Sequence, residues 1–109
     1  MNKSSVTVIK ARIIRHARAL LDSNTDYLMH IGELWNAGRE MYGDAWDTEF
    51  HIFGVIWSDT DHLPLSHVRK YYSSEALRRA DDELEEIIRS YSEYVRAACE
   101  EIIARHEVS

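Results

Sequence analysis

The stretch that decides the fold is Ser74-Glu75-Ala76-Leu77-Arg78-Arg79-Ala80-Asp81-Asp82-Glu83-Leu84-Glu85-Glu86-Ile87-Ile88-Arg89-Ser90-Tyr91, continued without a Gly or Pro to His106. Within it Leu77, Leu84, Tyr91 and Ala98 recur every seventh position, and Ile88, Val95 and Ile102 fill the offset seam. That spacing predicts one long helix with a coiled-coil-like stripe. Ser73 or Ser74 is placed to cap its start. Its length exceeds what a globule of this size needs, so part of its surface is expected to be left for a partner.

Working outward, the remainder of the chain also reads as helical. Ile9, Ile13, Ile14, Ala17, Leu20 and Leu21 share one arc of a helix over Val6–Leu21, with Arg12, Arg15 and Arg18 outside it and Ser4 or Ser5 as cap. Asp22-Ser23-Asn24-Thr25-Asp26 breaks that helix and begins a second, over Asp26–Tyr42, with Leu28, Ile31, Leu34, Trp35 and Met41 on one side. Gly32 and Gly38 weaken it unless they admit close packing. Gly43-Asp44 leads to a third helix over Ala45–Trp57, in which Trp46, Phe50, Phe53 and Trp57 repeat at helical spacing. Ser58–Leu65 is a loop, and Ser66 can cap a short turn through Val68-Arg69-Lys70-Tyr71. The expected architecture is all-α: a single domain over 1–109, a compact bundle of about four main helices with a long C-terminal one.

The chain has 109 residues, formal charge −6 and one cysteine. Charge is segregated: 1–39 carries +3, 40–67 carries −6 without a Lys or Arg, 68–80 carries +3, and 81–109 carries −6. An acidic balance argues against nucleic acid as partner, since phosphate contacts need surplus Lys and Arg. Apolar runs are too short to span a membrane, and the Lys3-containing N-terminus has no apolar stretch of the secretory kind. A lone Cys99 fits a reducing cytoplasm and reads as a small core residue. The basic arc of Arg12, Arg15 and Arg18 reads first as a source of internal ion pairs.

Motifs for catalysis are weak. Asp81-Asp82-Glu83-Leu84-Glu85-Glu86 contains a D-D-x-x-[DE] pattern, but Mg²⁺-diphosphate chemistry needs a deep cavity that this length cannot enclose. Asp82, Glu86, Glu93 and Glu100 point away from the seam, and Arg78–Asp82, Glu85–Arg89, Arg89–Glu93 and Arg96–Glu100 are spaced for helix-surface ion pairs. Asp59, Asp61, His62 and His67 gather around Pro64. Turn chemistry is the first reading of this group, and a small metal-dependent hydrolase using Asp59, Asp61 and His62 is an alternative. Neither H-E-x-x-H, a catalytic Cys–His spacing nor a phosphate-cradling Gly loop is present.

The segment Ile56-Trp57-Ser58-Asp59-Thr60-Asp61-His62-Leu63-Pro64, followed by Val68-Arg69, Tyr72 and Glu75-Ala76-Leu77, resembles small uncharacterised bacterial all-helical proteins that carry S-[ED]-T-D-x-L-P and then V-R, an aromatic and an acid-rich helix. Helix 1, with Ala17-Arg18-Ala19-Leu20-Leu21-Asp22, is similar as well. The resemblance implies no catalytic residues and no cofactor. It implies that the Asp59–Arg69 segment is structurally central, with Asp61 as a cap and Arg69 as its ionic partner. Proteins of this size and acidity are often immunity proteins.

The expectation is therefore a non-enzymatic, cytoplasmic, acidic binding module with no metal, neutralising a basic toxin domain such as a nuclease. Its contact residues are expected among Asp44, Trp46, Asp47, Glu49, Trp57, Asp59, Asp61, Tyr71, Tyr72, Asp82 and Glu86. Aromatic anchors would supply affinity, and the acids would speed encounter. The alternative outside catalysis is a self-associating adaptor, dimerising through the long helix.

Overall fold

The computed structural model describes residues 3–22, 26–64 and 66–107, with the side chains of 3–5, 66 and 67 excepted. The helix expected from Val6 starts at Lys3, so Ser4 and Ser5 lie inside it and do not cap it; the side chain of Ser66 and the imidazole of His67 are among those excepted, and Ser23, Asn24, Thr25 and Leu65 lie outside the described residues. The chain is all-α: α1 (Lys3–Asp22), α2 (Tyr27–Tyr42), α3 (His51–Asp59), a 3₁₀ turn (Ser66–Tyr71) and α4 (Ser74–His106). Each helix packs against its neighbour in the chain, and α4 closes back on α1. The long axis is 48 Å against 26 and 23 Å for the other two, so α4 sets the length of the molecule.

The expected bounds of α2 and α4 hold to within a residue, and Ser73 is the cap that forms, its hydroxyl accepting from the Ala76 amide at 3.1 Å. The third helix is shorter than its aromatic spacing predicts. Asp44 Oδ1 accepts from the Trp46 amide at 3.0 Å, while Thr48 Oγ1 accepts from the Phe50 amide at 3.1 Å and donates to the Ala45 carbonyl at 2.6 Å. Those local side-chain bonds offer residues 44–50 an alternative to helical pairing, so α3 starts only at His51. Asp44 and Asp47 accordingly lie in a turn, not at a helix N-terminus.

The core joins Ile9, Ile13, Ala17 and Leu20 of α1 to Ile31, Leu34 and Trp35 of α2, Phe53 and Ile56 of α3, and Val95, Cys99 and Ile102 of α4, with Phe50 just ahead of α3. Cys99 is fully buried, and burial pushes its thiol up to about 12, so it is inert packing. The two glycines of α2 admit aromatic rings. A Cβ on Gly38 would stand 2.6 Å from the Phe50 ring, and one on Gly32 would stand 2.6 Å from Trp57.

Only the C-terminal half of α4 enters the core. Leu77, Leu84, Ile87 and Ile88 are half-buried. Ile87 and Ile88 pack against that core, and nearer the start of α4 the segment between α3 and α4 is tied to the helix by polar contacts. The His62 ring meets Glu83 at 2.9 Å, and Arg69 donates two bonds of 2.9 Å to Asp81. At about 100° per residue, Asp81 and Glu83 lie on either side of the Leu77–Leu84 seam. His62 and Arg69 therefore grip the helix from both flanks, and the neighbouring Leu63 and Pro64 are buried. The ionic partner of Arg69 is Asp81, in place of the Asp61 that the sequence suggested. Asp81 is too far along the chain for local reasoning to find, whereas a helix cap and a nearby arginine are the ordinary local choice.

Candidate functional site

The eleven residues singled out from sequence divide into two groups. Trp57, Asp59, Asp61, Tyr71, Tyr72, Asp82 and Glu86 belong to the outer end, where the α3–α4 segment crosses the first half of α4. Asp44, Trp46, Asp47 and Glu49 belong to the α2–α3 turn, beside the last turn of α4. Asp59 bonds to Tyr91 and Glu49 bonds to His106, so the groups stand about 20 Å apart along α4.

At the outer end the aromatics are open: Tyr71 is 76% exposed, Tyr72 48% and Trp57 37%. Tyr94, one turn beyond Tyr91 on α4, is also open at 66%. Trp57 is held from behind by Gly32, which gives its ring a flat seat. Asp59, Asp61, Asp82 and Glu86 are exposed, the last two on the side of α4 away from its apolar seam. Asp59 Oδ2 accepts from the Tyr91 hydroxyl at 2.8 Å, and that bond raises the Tyr91 phenol above its ordinary value. Glu86 is engaged by Arg89 at 2.7 Å, with Glu85–Arg89 looser at 3.4 Å. Asp61 and Asp82 have no ion-pair partner among the described residues. Hydrogen bonding from Arg69 holds the Asp81 carboxyl below its ordinary value.

At the other end the residues have different work. Trp46 is 44% exposed and packs tilted against Trp35, ring centroids 4.7 Å apart at 57°, and its carbonyl contacts the His51 ring at 2.6 Å. Asp44 serves the turn, and Asp47 is exposed. Glu49 is withdrawn: its side chain is 1% exposed, and Oε2 meets His106 Nε2 at 2.5 Å while accepting from the Tyr42 hydroxyl at 2.9 Å. Arg105 reaches Oε1 at 3.4 Å. Burial alone would raise this carboxyl. The bonds from His106, its own amide and Tyr42, with the Arg105 charge, outweigh burial and leave it lowered. A carboxylate–imidazole pair is the stuff of acid–base catalysis. Here both groups are covered, His106 being 5% exposed with Nδ1 buried and unpartnered, so the pair ties the end of α4 to the α2–α3 turn.

Sequence reasoning missed this pair, which joins residues 57 apart. It also missed a contact between His16 of α1 and His30 of α2, whose Nδ1 atoms meet at 2.8 Å. A signal existed for each: His16 borders the apolar arc of α1, about 20° beyond Ile9, and His106 continues the Ile102 seam by one turn. Of the residues named for the alternative hydrolase, Asp59 accepts from Tyr91 and the His62 ring meets Glu83. Among the described residues no three His, Cys, Asp or Glu side chains gather closely enough to hold a metal ion. No helix is long and apolar enough to cross a membrane. No protein-family model, curated protein or solved structure matches the chain.

Proposed function

We propose that this protein is a non-enzymatic binding module whose outer end docks a basic protein, in the manner of an immunity protein that neutralises a toxin domain. The observation that supports the reading best is the pairing of open aromatics with free carboxylates on a braced frame. Trp57, Tyr71 and Tyr72 are available as anchors, and Asp61 and Asp82 are available as charges. Interfaces of this kind draw affinity from a few desolvated aromatics and draw encounter rate from charge complementarity. The clamp by His62 and Arg69 limits the ordering that docking would otherwise cost.

The acids of 40–67 and 81–109 would face a partner rich in Lys and Arg. A nuclease domain is the fitting chemistry, because its own nucleic-acid surface must be basic. The gene immediately upstream supplies the test material. If it encodes a secreted protein with a variable C-terminal domain, that domain is purified and mixed with this chain. Tight binding with loss of toxin activity is expected. Tyr71→Ala and Trp57→Ala are expected to raise Kd at least tenfold, with Asp47→Ala, at the opposite end, unchanged. Indifference of binding to both aromatic substitutions would refute the docking face.

A further inference from the structure

The side of α1 turned away from the core lines a groove of about 800 Å³ that ends against the last turn of α4. Its α1 residues follow at three- and four-residue steps, so they form one stripe of the helix. Ile14, part of the apolar arc read from sequence, is half-buried and lies in this groove with Ala11 and Ala19. Lys10, Arg15 and Arg18 line it as well, against the carboxylates of Asp22 and Glu107. Arg18 is paired with Glu107, whereas Lys10 and Arg15 have no ion-pair partner among the described residues. A chain of formal charge −6 thus keeps a positive surplus here.

His106 borders the groove from the α4 side. Its ring is 5% exposed, its Nε2 meets Glu49 at 2.5 Å, and one face lies along Phe50 with centroids 6.2 Å apart at 27°. Its Nδ1 has no hydrogen-bond partner among the described residues. Buried polar atoms are ordinarily satisfied, and the groove has room for a group that would satisfy this one.

We propose that the groove binds an amphiphilic organic carboxylate, its head group beside His106 and its apolar body along Ala11, Ile14 and Ala19. The negative head follows from Lys10, Arg15 and Arg18, and the apolar body from the floor between them. A volume of about 800 Å³ is of the size that holds a small organic molecule. With Nε2 donating to Glu49, a proton on Nδ1 makes the ring an imidazolium that donates to the bound carboxylate. The charges around the ring are Glu49, with the Tyr42 hydroxyl bonded to it, Arg105 and the Arg18–Glu107 pair. This groove stands at the far end of α4 from the docking face, so neither site depends on the other.

The test is calorimetric titration of the whole chain with dodecanoate below its micelle concentration, beside ¹⁵N spectra of the histidine rings. One dodecanoate per chain and a shift of the His106 Nδ1 resonance are expected, with the His62 ring unmoved. Lys10→Ala combined with Arg15→Ala, both outside the core, should weaken binding at least fivefold. Dodecanol, with the same body and no charge, should bind at least tenfold more weakly than dodecanoate, and Asp61→Asn, on the docking face, should leave binding unchanged. Absence of saturable binding would overturn the proposal. Equal affinity for dodecanol would overturn it too, since apolar cover alone would then explain the uptake, and so would binding that leaves the His106 ring unmoved.

Discussion

At the scale of single residues, two buried groups make stability depend on pH in the same direction. His16 is kept neutral by burial and by His30, so its folded value lies below 6.5. Its contribution is complete above the unfolded value and is lost as pH falls through the folded one. Glu49 has a lowered carboxyl, so its contribution is complete above its ordinary 4.5 and is lost at lower pH still. Denaturant titrations from pH 7 to pH 3 are therefore expected to show a decline that starts below about pH 6.5 and resumes below about 4.5. Glu49→Gln should cost about 1–3 kcal/mol at pH 7, since it weakens the bonds to His106 and Tyr42 in a buried place. It should also flatten the lower part of the curve. The glycines give a sharper contrast. At Gly38 an added methyl meets the base of the fully buried Phe50 ring, whereas at Gly32 it meets the far edge of Trp57, which is partly open and can swing aside. Gly38→Ala is expected to cost about 1–3 kcal/mol in urea unfolding, and Gly32→Ala less. The reverse order would mean that Phe50 has room that the packing denies.

At the scale of elements, α4 is one helix with two different supports. From Val95 to His106 it lies in the core, closed by the Glu49–His106 contact. From Ser74 to Leu84 it is tied to the crossing segment by His62 and Arg69, on either side of the buried Leu63 in sequence, before Ile87 and Ile88 reach the core. Amide hydrogen exchange should be faster over 77–88 than over 95–106. Leu63→Ala should widen that gap and cost about 2–4 kcal/mol; uniform exchange along α4 would contradict the division. This element was the most legible part of the sequence, because a seven-residue apolar repeat and a serine cap act within a few residues of each other. The third helix was less so. Trp46, Phe50, Phe53 and Trp57 carry helical spacing, yet Thr48 and Asp44 spend their side chains on the backbone and hold 44–50 in turns. The crowding of Asp59, Asp61 and His62 near Pro64 could be read locally. Their partners Tyr91 and Glu83 could not, being set by how α4 lies across the loop.

At the scale of the whole molecule, charge and shape divide the surface into two ends. The outer end leaves Trp57, Tyr71 and Tyr72 open and carries the exposed Asp59, Asp61, Asp82 and Glu86, while the far end has turned Glu49 inward and packed Trp46 at a tilt against Trp35. The eleven candidate residues could be chosen from sequence by type. Their separation into an open face and a structural joint depends on the length of α4, which places residues close in the chain at opposite ends. A binding role makes the outer face the seat of both attraction and anchoring. Its carboxylates would speed association, and its aromatics would slow dissociation.

The most direct measurement of that proposed role is the association rate of the purified chain with the basic toxin domain that the proposal requires, followed by stopped flow as salt is raised from about 50 to 500 mM. A fall of at least tenfold is expected, with Asp61→Asn and Asp82→Asn lowering the low-salt rate and Tyr71→Ala raising the dissociation rate. A rate that ignores both salt and these substitutions would contradict docking through the outer end.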